Sequence, residues 1–216
     1  MDLSAFVHQL WLARFPLLKG LGMTISISFL AIVIGTLLGI AVGLTLTYGY
    51  KPFRGYTDFI RGTPVLVLVL ASYYVLSTIG IDLGPFEAGV LALSVFCSSH
   101  VGELTRGALQ AIPKGQTEAA KAIGLTFSQT FFYVLGPQAL RSALPAWVNT
   151  AAEMVKASTL LSILGVAELL LRTQELISRT FLSLEFYFFA GFLYFVINYG
   201  IERFGRYVER KVTVAS

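Results

Sequence analysis

Long apolar runs separated by short polar connectors set the pattern of the chain. The runs cover about 20–48, 63–78, 88–110, 131–166 and 186–201, each close to or above the roughly 20 apolar residues that cross a bilayer as a helix. They predict an all-α membrane protein of about five transmembrane helices. Residues 1–19 mix Trp11 and Phe15 with Arg14 and Lys19, which suggests an interfacial lead-in to a domain covering 19–211. In the first run Gly35, Gly39 and Gly43 recur every fourth residue, giving a small-residue stripe for close helix contact within the chain or across a dimer. Thr63-Pro64 reads as a helix start, with Thr63 capping and proline in the first turn. Pro137 and Pro145 interrupt the fourth run, which is therefore expected to kink. The stretch 168–185 mixes charges and has helical potential at the membrane surface.

Between the third and fourth runs lies a polar island, 103–124. It turns at Ile112-Pro113-Lys114-Gly115-Gln116 and then reads as a short helix over 117–124. Thr117 can cap that helix and Glu118 suits the positive end of its dipole. Ala119, Ala120 and Ala122 leave a smooth face, and Gly124 is a natural stop. Thr126-Phe127-Ser128-Gln129 fits a capping box for the next helix. The plain reading is a solvated loop; the sharper one is a helix shaped for an aqueous partner.

Composition agrees with the membrane pattern: 56% hydrophobic residues, 13% charged and a mean hydropathy of +0.74. The net charge of +4 reads as topology rather than nucleic-acid binding, because no basic patch is interleaved with aromatics. Basic residues concentrate in 48–61, 106–121 and 203–211, whereas the 80–87 turn holds only Asp82 and Glu87. The positive-inside rule then puts the N-terminus outside, the C-terminus in the cytoplasm and the polar island in the cytoplasm. The N-terminus shows no basic leader with a cleavage site, so no removable signal peptide is expected. Cys97 is the only cysteine, and His8 and His100 lack ligand spacing, so neither an intrachain disulfide nor a metal site is expected. No GxxxxGK[ST] occurs, so no ATP site or catalytic residue is assigned to the chain.

Charge inside a span is costly and usually faces a bundle interior or an aqueous path. Asn149, Glu153 and Lys156 are spaced i, i+4, i+7 and share one helix face. Glu153 suits an ammonium group, Lys156 a carboxylate and Asn149 either. With Ser158 they form the candidate substrate path; the alternative is a Glu153–Lys156 pair closed on itself. His100 most simply bonds a neighbouring helix, and Glu103 and Arg106 most simply form an i, i+3 ion pair.

Glu118-Ala119-Ala120, three residues, then Gly124 resembles the signature of ABC-importer permeases. Arg61-Gly62-Thr63-Pro64, Arg106-Gly107-Ala108, Pro113-Lys114-Gly115-Gln116, Leu135-Gly136-Pro137-Gln138-Ala139-Leu140-Arg141 and Leu144-Pro145 resemble the polar amino acid uptake branch, the histidine/glutamine/arginine type. The resemblance covers about 19–211 and implies a bacterial inner-membrane permease for polar amino acids or related zwitterions. It implies a coupling helix in which Gly115, Glu118, Ala119, Ala120 and Gly124 meet a groove on an ABC ATPase. It also implies a pair of such ATPase subunits using ATP and Mg, a second permease, an extracytoplasmic solute-binding protein and surrounding lipid. The sequence departs from the family at Lys156-Ala157-Ser158-Thr159-Leu160, where the family has Lys-Asp-Thr-Ser-Leu, and at His100, where tyrosine is usual. On physics alone two other readings stand: an ion-coupled secondary amino acid transporter, and an accessory membrane assembly factor.

Overall fold

The first run continues as helix well beyond the span read from its hydropathy. In the computed structural model, which describes residues 3–49 and 52–213, helix α1 covers Leu3–Thr47 without interruption. At 1.5 Å per residue it is about 67 Å long, twice the bilayer core of roughly 30 Å. The lead-in 1–19 is therefore helical from Leu3, with Pro16 inside the helix, and Ala13 and Leu17 bury against Leu169.

The basic connector is largely helical. Helix α2, Pro52–Gly62, turns Tyr56, Thr57 and Ile60 inward and Arg54, Asp58 and Arg61 outward. Lys51 lies outside the described residues. Thr63 does not cap the next helix: its hydroxyl donates to the Phe59 carbonyl at 2.8 Å and closes α2, while Pro64 takes the N-cap position of α3, Val65–Leu70. The chain bends by 108° at this junction. A wide turn at Ala71–Val75 leads into α4, Leu76–Thr78. Helix α5, Pro85–Gln110, opens with proline in its first turn, where the missing N–H costs nothing.

After α6, Lys114–Ala122, and α7, Phe127–Thr130, a second wide turn occupies Phe131–Leu135. Here the Gly136 N–H reaches back to the Phe131 carbonyl, and Pro137 next along has no N–H to restore the normal ladder. Helix α8, Gly136–Ala157, then runs through Pro145 and tightens at Ser158–Leu164. The sharp break of the fourth run, 52°, lies between Leu164 and Leu169, where Gly165 has φ +82°, and not at either proline. Helix α9 is Leu169–Thr180, and α10, Ser183–Thr213, extends the last run at both ends.

Among the described residues three helices are long and apolar enough to cross a membrane, and two bent pairs raise the total to as many as five. The glycine stripe resolves as intrachain packing of α1 on α5. A Cβ at Gly35 would lie 2.5 Å from Cys97 Cβ, and one at Gly43 would lie 2.5 Å from Thr105 Cβ, so any side chain there forces the helices apart. Ile27, Ala31, Leu93, Phe96, Met154 and Leu161 form the core between α1, α5 and α8. Two polar ties join the helices: Trp147 Nε1 of α8 donates to Thr36 Oγ1 of α1 at 2.9 Å, and Tyr56 Oη of α2 lies 2.6 Å from Ser98 Oγ of α5.

Candidate translocation face and coupling helix

Helix α8 has two unlike faces. Ala151, Ala152, Met154, Val155 and Ala157 are buried, which anchors the helix in the core. Asn149, Glu153 and Lys156 are all exposed on the other side, as their spacing predicts. Among the described residues Glu153 and Lys156 make no ion pair with each other. Two opposite charges thus stand free on one face of a membrane-length element, a state that lipid does not tolerate. Ser158 stands apart from them: it is fully buried and donates to the Val155 carbonyl at 2.8 Å. A cavity of about 440 Å³ between α1, α5 and α8 is lined by Ile40, Leu44, Leu140, Leu144 and Trp147 on the opposite, apolar side of α8, so it is not part of this face.

Glu103 and Arg106 form the expected ion pair at 2.6 Å, and Arg106 also donates to Gln110 at 2.6 Å. His100 differs from expectation. Its Nδ1 is 3.0 Å from the Phe96 carbonyl, one turn back on its own helix, and its ring packs on Phe96.

The short helix α6 starts at Lys114, three residues earlier than its expected start at Thr117, with Pro113 in the N-cap position. Thr117 consequently lies inside the helix and caps nothing. The far end is as expected. Gly124 takes φ +81°, its N–H donates to the Lys121 carbonyl at 2.9 Å, and Leu125 N–H donates to the Ala120 carbonyl at 3.0 Å. This pair of bonds is a Schellman closure, which needs a left-handed residue at Gly124. Thr126 and Gln129 complete the predicted capping box of α7. Gly115, Glu118, Ala119 and Gly124 are exposed, but Ala120 is only 3% exposed. Ala120 therefore seats α6 on its own protein, and the outward surface is carried by the other four. Edge-on stacking of Tyr48 and Phe127 at 5.3 Å braces the end of α1 against the start of α7.

A buried carboxylate escaped the sequence reading. Glu168 is fully buried and caps α9, accepting from Leu170 N–H at 2.9 Å and Leu171 N–H at 2.8 Å. Tyr194 of α10 donates to it at 2.6 Å and Thr24 of α1 at 3.4 Å. The available signal was an acidic residue directly ahead of an amphipathic helix, which marks a cap but not its burial.

The profile of the family described as "Binding-protein-dependent transport system inner membrane component" matches residues 31–214. The chain belongs to this family. The permease component is 32% identical over 217 residues to the arginine transport system permease protein ArtQ of Bacillus subtilis (strain 168), covering 98% of this chain and 97% of that protein. It is 33% identical to the glutamine transport system permease protein GlnP of Escherichia coli (strain K12), covering 94% and 98%. A solved structure described as an amino acid ABC transporter with histidines superposes with a TM-score of 0.87 at 33% identity, covering 98% of this chain and 99% of that one. The MetNI methionine transporter, at 22% identity and a TM-score of 0.78, shares the fold. Membership places the permease in the inner membrane, beside a partner permease and separate subunits that hydrolyse ATP; the chain is not itself an enzyme. It also sets aside the ion-coupled carrier and the assembly factor.

Proposed function

We propose that the permease forms the path for a polar amino acid or a related small zwitterion, driven by ATP hydrolysis in its partners. The observation that carries this reading is the exposed, unpaired Glu153 and Lys156 on one face of α8. Glu153 receives the ammonium group, Lys156 the carboxylate, and Asn149 holds either end. The relatives named for arginine and glutamine transport support the substrate class.

In this reading the basic segments lie in the cytoplasm, so the N-terminus is outside and the C-terminus inside. Helix α6 then meets the ATPases, with Gly115, Glu118, Ala119 and Gly124 as its contact surface and Ala120 as its seat. A pair of ATPase subunits uses ATP and Mg, an extracytoplasmic solute-binding protein delivers substrate, and lipid covers the apolar outer faces of α1 and α10. The test is uptake of radiolabelled L-amino acids into proteoliposomes holding the whole complex and its binding protein. Accumulation that requires internal ATP and no ion gradient supports the reading; accumulation driven by a proton or sodium gradient without ATP overturns it.

A further inference from the structure

The polar face of α8 continues beyond Asn149 toward the coupling helix. At about 100° per residue, Pro145, Ser142 and Gln138 fall within roughly 40° of Asn149, the same sector that holds Glu153 and Lys156. Ser142 and Pro145 are exposed and Gln138 is half-buried. Every outward position in this sector over nearly the whole helix is therefore polar or proline, whereas a lipid-facing sector is apolar.

Three details show that this lower segment has free hydrogen-bonding capacity. Membrane serines and threonines usually return their hydroxyl to a carbonyl one turn back, as Ser26, Ser28, Thr150 and Ser158 do here. Ser142 makes no such bond among the described residues. Gln138 commits its Nε2 to the Val134 carbonyl at 2.9 Å, leaving Oε1 as an acceptor. Pro145 has no N–H to give to the Arg141 carbonyl, which removes that carbonyl's normal helix partner. Arg141 itself flanks the sector, about 80° from Asn149, half-buried and in no ion pair among the described residues.

We propose that Gln138, Arg141 and Ser142 form a second, inner binding station for the transported zwitterion. Gln138 Oε1, Ser142 Oγ and the Arg141 carbonyl receive its ammonium group, and the Arg141 guanidinium receives its carboxylate. This rests on the reading of α8 as the path. The station repeats the chemistry of Glu153 and Lys156 about 20 Å nearer the coupling helix. Its ammonium site is built from neutral acceptors instead of a carboxylate, so it holds substrate more weakly and favours onward release.

The test introduces one cysteine at a time into the permease, whose own only cysteine is the buried Cys97, and uses the wild-type complex in proteoliposomes as the blank for every other thiol. The probe is a membrane-impermeant cationic methanethiosulfonate. Ser142→Cys is expected to react at a rate comparable to Glu153→Cys, and Leu140→Cys, on the opposite face, at least about tenfold more slowly. Whichever of L-glutamine, L-arginine or L-histidine the wild-type complex transports should, at millimolar concentration, slow the Ser142→Cys reaction, and Arg141→Gln should lower its uptake about tenfold. Should Arg141→Gln fail to assemble, Gln138→Leu is expected to lower uptake about fivefold at unchanged subunit stoichiometry. Reaction at Glu153→Cys with none at Ser142→Cys overturns the inner station and leaves the path reading intact. Unreactive cysteines at both positions overturn the path reading as well. Reactivity without protection by the transported amino acid also overturns the station, because it shows water there and no substrate.

Discussion

Tyr194 donates a 2.6 Å hydrogen bond to the fully buried carboxylate of Glu168, tying α10 to the first turn of α9. Thr24 completes the joint by donating to Glu168 and accepting from the Leu169 N–H at 3.1 Å, so one carboxylate links α1, α9 and α10. A glutamine at this position keeps the volume but turns an N–H₂ toward groups that are already donors. Glu168→Gln is therefore expected to cost about 1–3 kcal/mol. Tyr194→Phe removes one donor and leaves the two amides in place, so it should cost less, about 1 kcal/mol. Thermal unfolding of the detergent-solubilised complex checks both; equal stability to wild type would mean the joint is redundant.

Glu153 is exposed and unpaired with Lys156, so its neutralisation leaves no stranded partner in the core. Glu153→Gln is expected to lower substrate uptake about 10- to 100-fold, the range for losing a charge-assisted hydrogen bond. Subunit stoichiometry should not change. Loss of assembly with this variant would instead assign Glu153 to a subunit contact.

The distribution of basic residues predicts the topology. Ile81, 48% exposed in the acidic turn, and Gln116, exposed on α6, should lie on opposite sides of the membrane. In whole cells an impermeant maleimide should label Ile81→Cys and spare Gln116→Cys until the membrane is opened. The reverse pattern would invert the assignment of the termini.

Local rules made much of this legible. The Thr126–Gln129 capping box, the left-handed stop at Gly124 and the shared face of Asn149, Glu153 and Lys156 each depend on a few neighbouring residues, and each stands in the structure as read. Contacts between distant segments were not legible in the same way. Glu168 meets Thr24 across 144 positions, and its local signal marks a helix cap but not its burial. The orientation of α6 was also hidden, since Ala119 and Ala120 are identical in sequence terms and only the packing shows which one is buried. The connector after α1 is legible only as a basic segment, because its charges obscure an amphipathic helix three turns long.

Coupling tests the division between the seat and the outward surface of α6. Ala119 is exposed and Ala120 is buried, so a large side chain at each position should fail for a different reason. Ala119→Trp places an indole on the outer surface without disturbing the core, and it should block the ATPase groove. The membrane subunit should then insert and dimerise normally, with ATPase subunits lost or hydrolysing ATP without uptake. Ala120→Trp overpacks the seat, at a cost of typically about 1–3 kcal/mol, and should lower the stability of the permease itself. Gly124→Asp forces an L-residue into φ +81°, although nothing beyond its chain neighbours lies within 4 Å of the added Cβ among the described residues. Its effect is therefore backbone strain, about 1 kcal/mol, which frays the Schellman closure and loosens α6. Uptake should fall with Gly124→Asp while the amount of inserted permease stays near wild type. Uptake, ATPase rate and subunit stoichiometry in reconstituted vesicles separate the three variants. Wild-type coupling in both Ala119→Trp and Gly124→Asp would mean that α6 transmits nothing, and the assignment of its outer surface to the ATPase would fall.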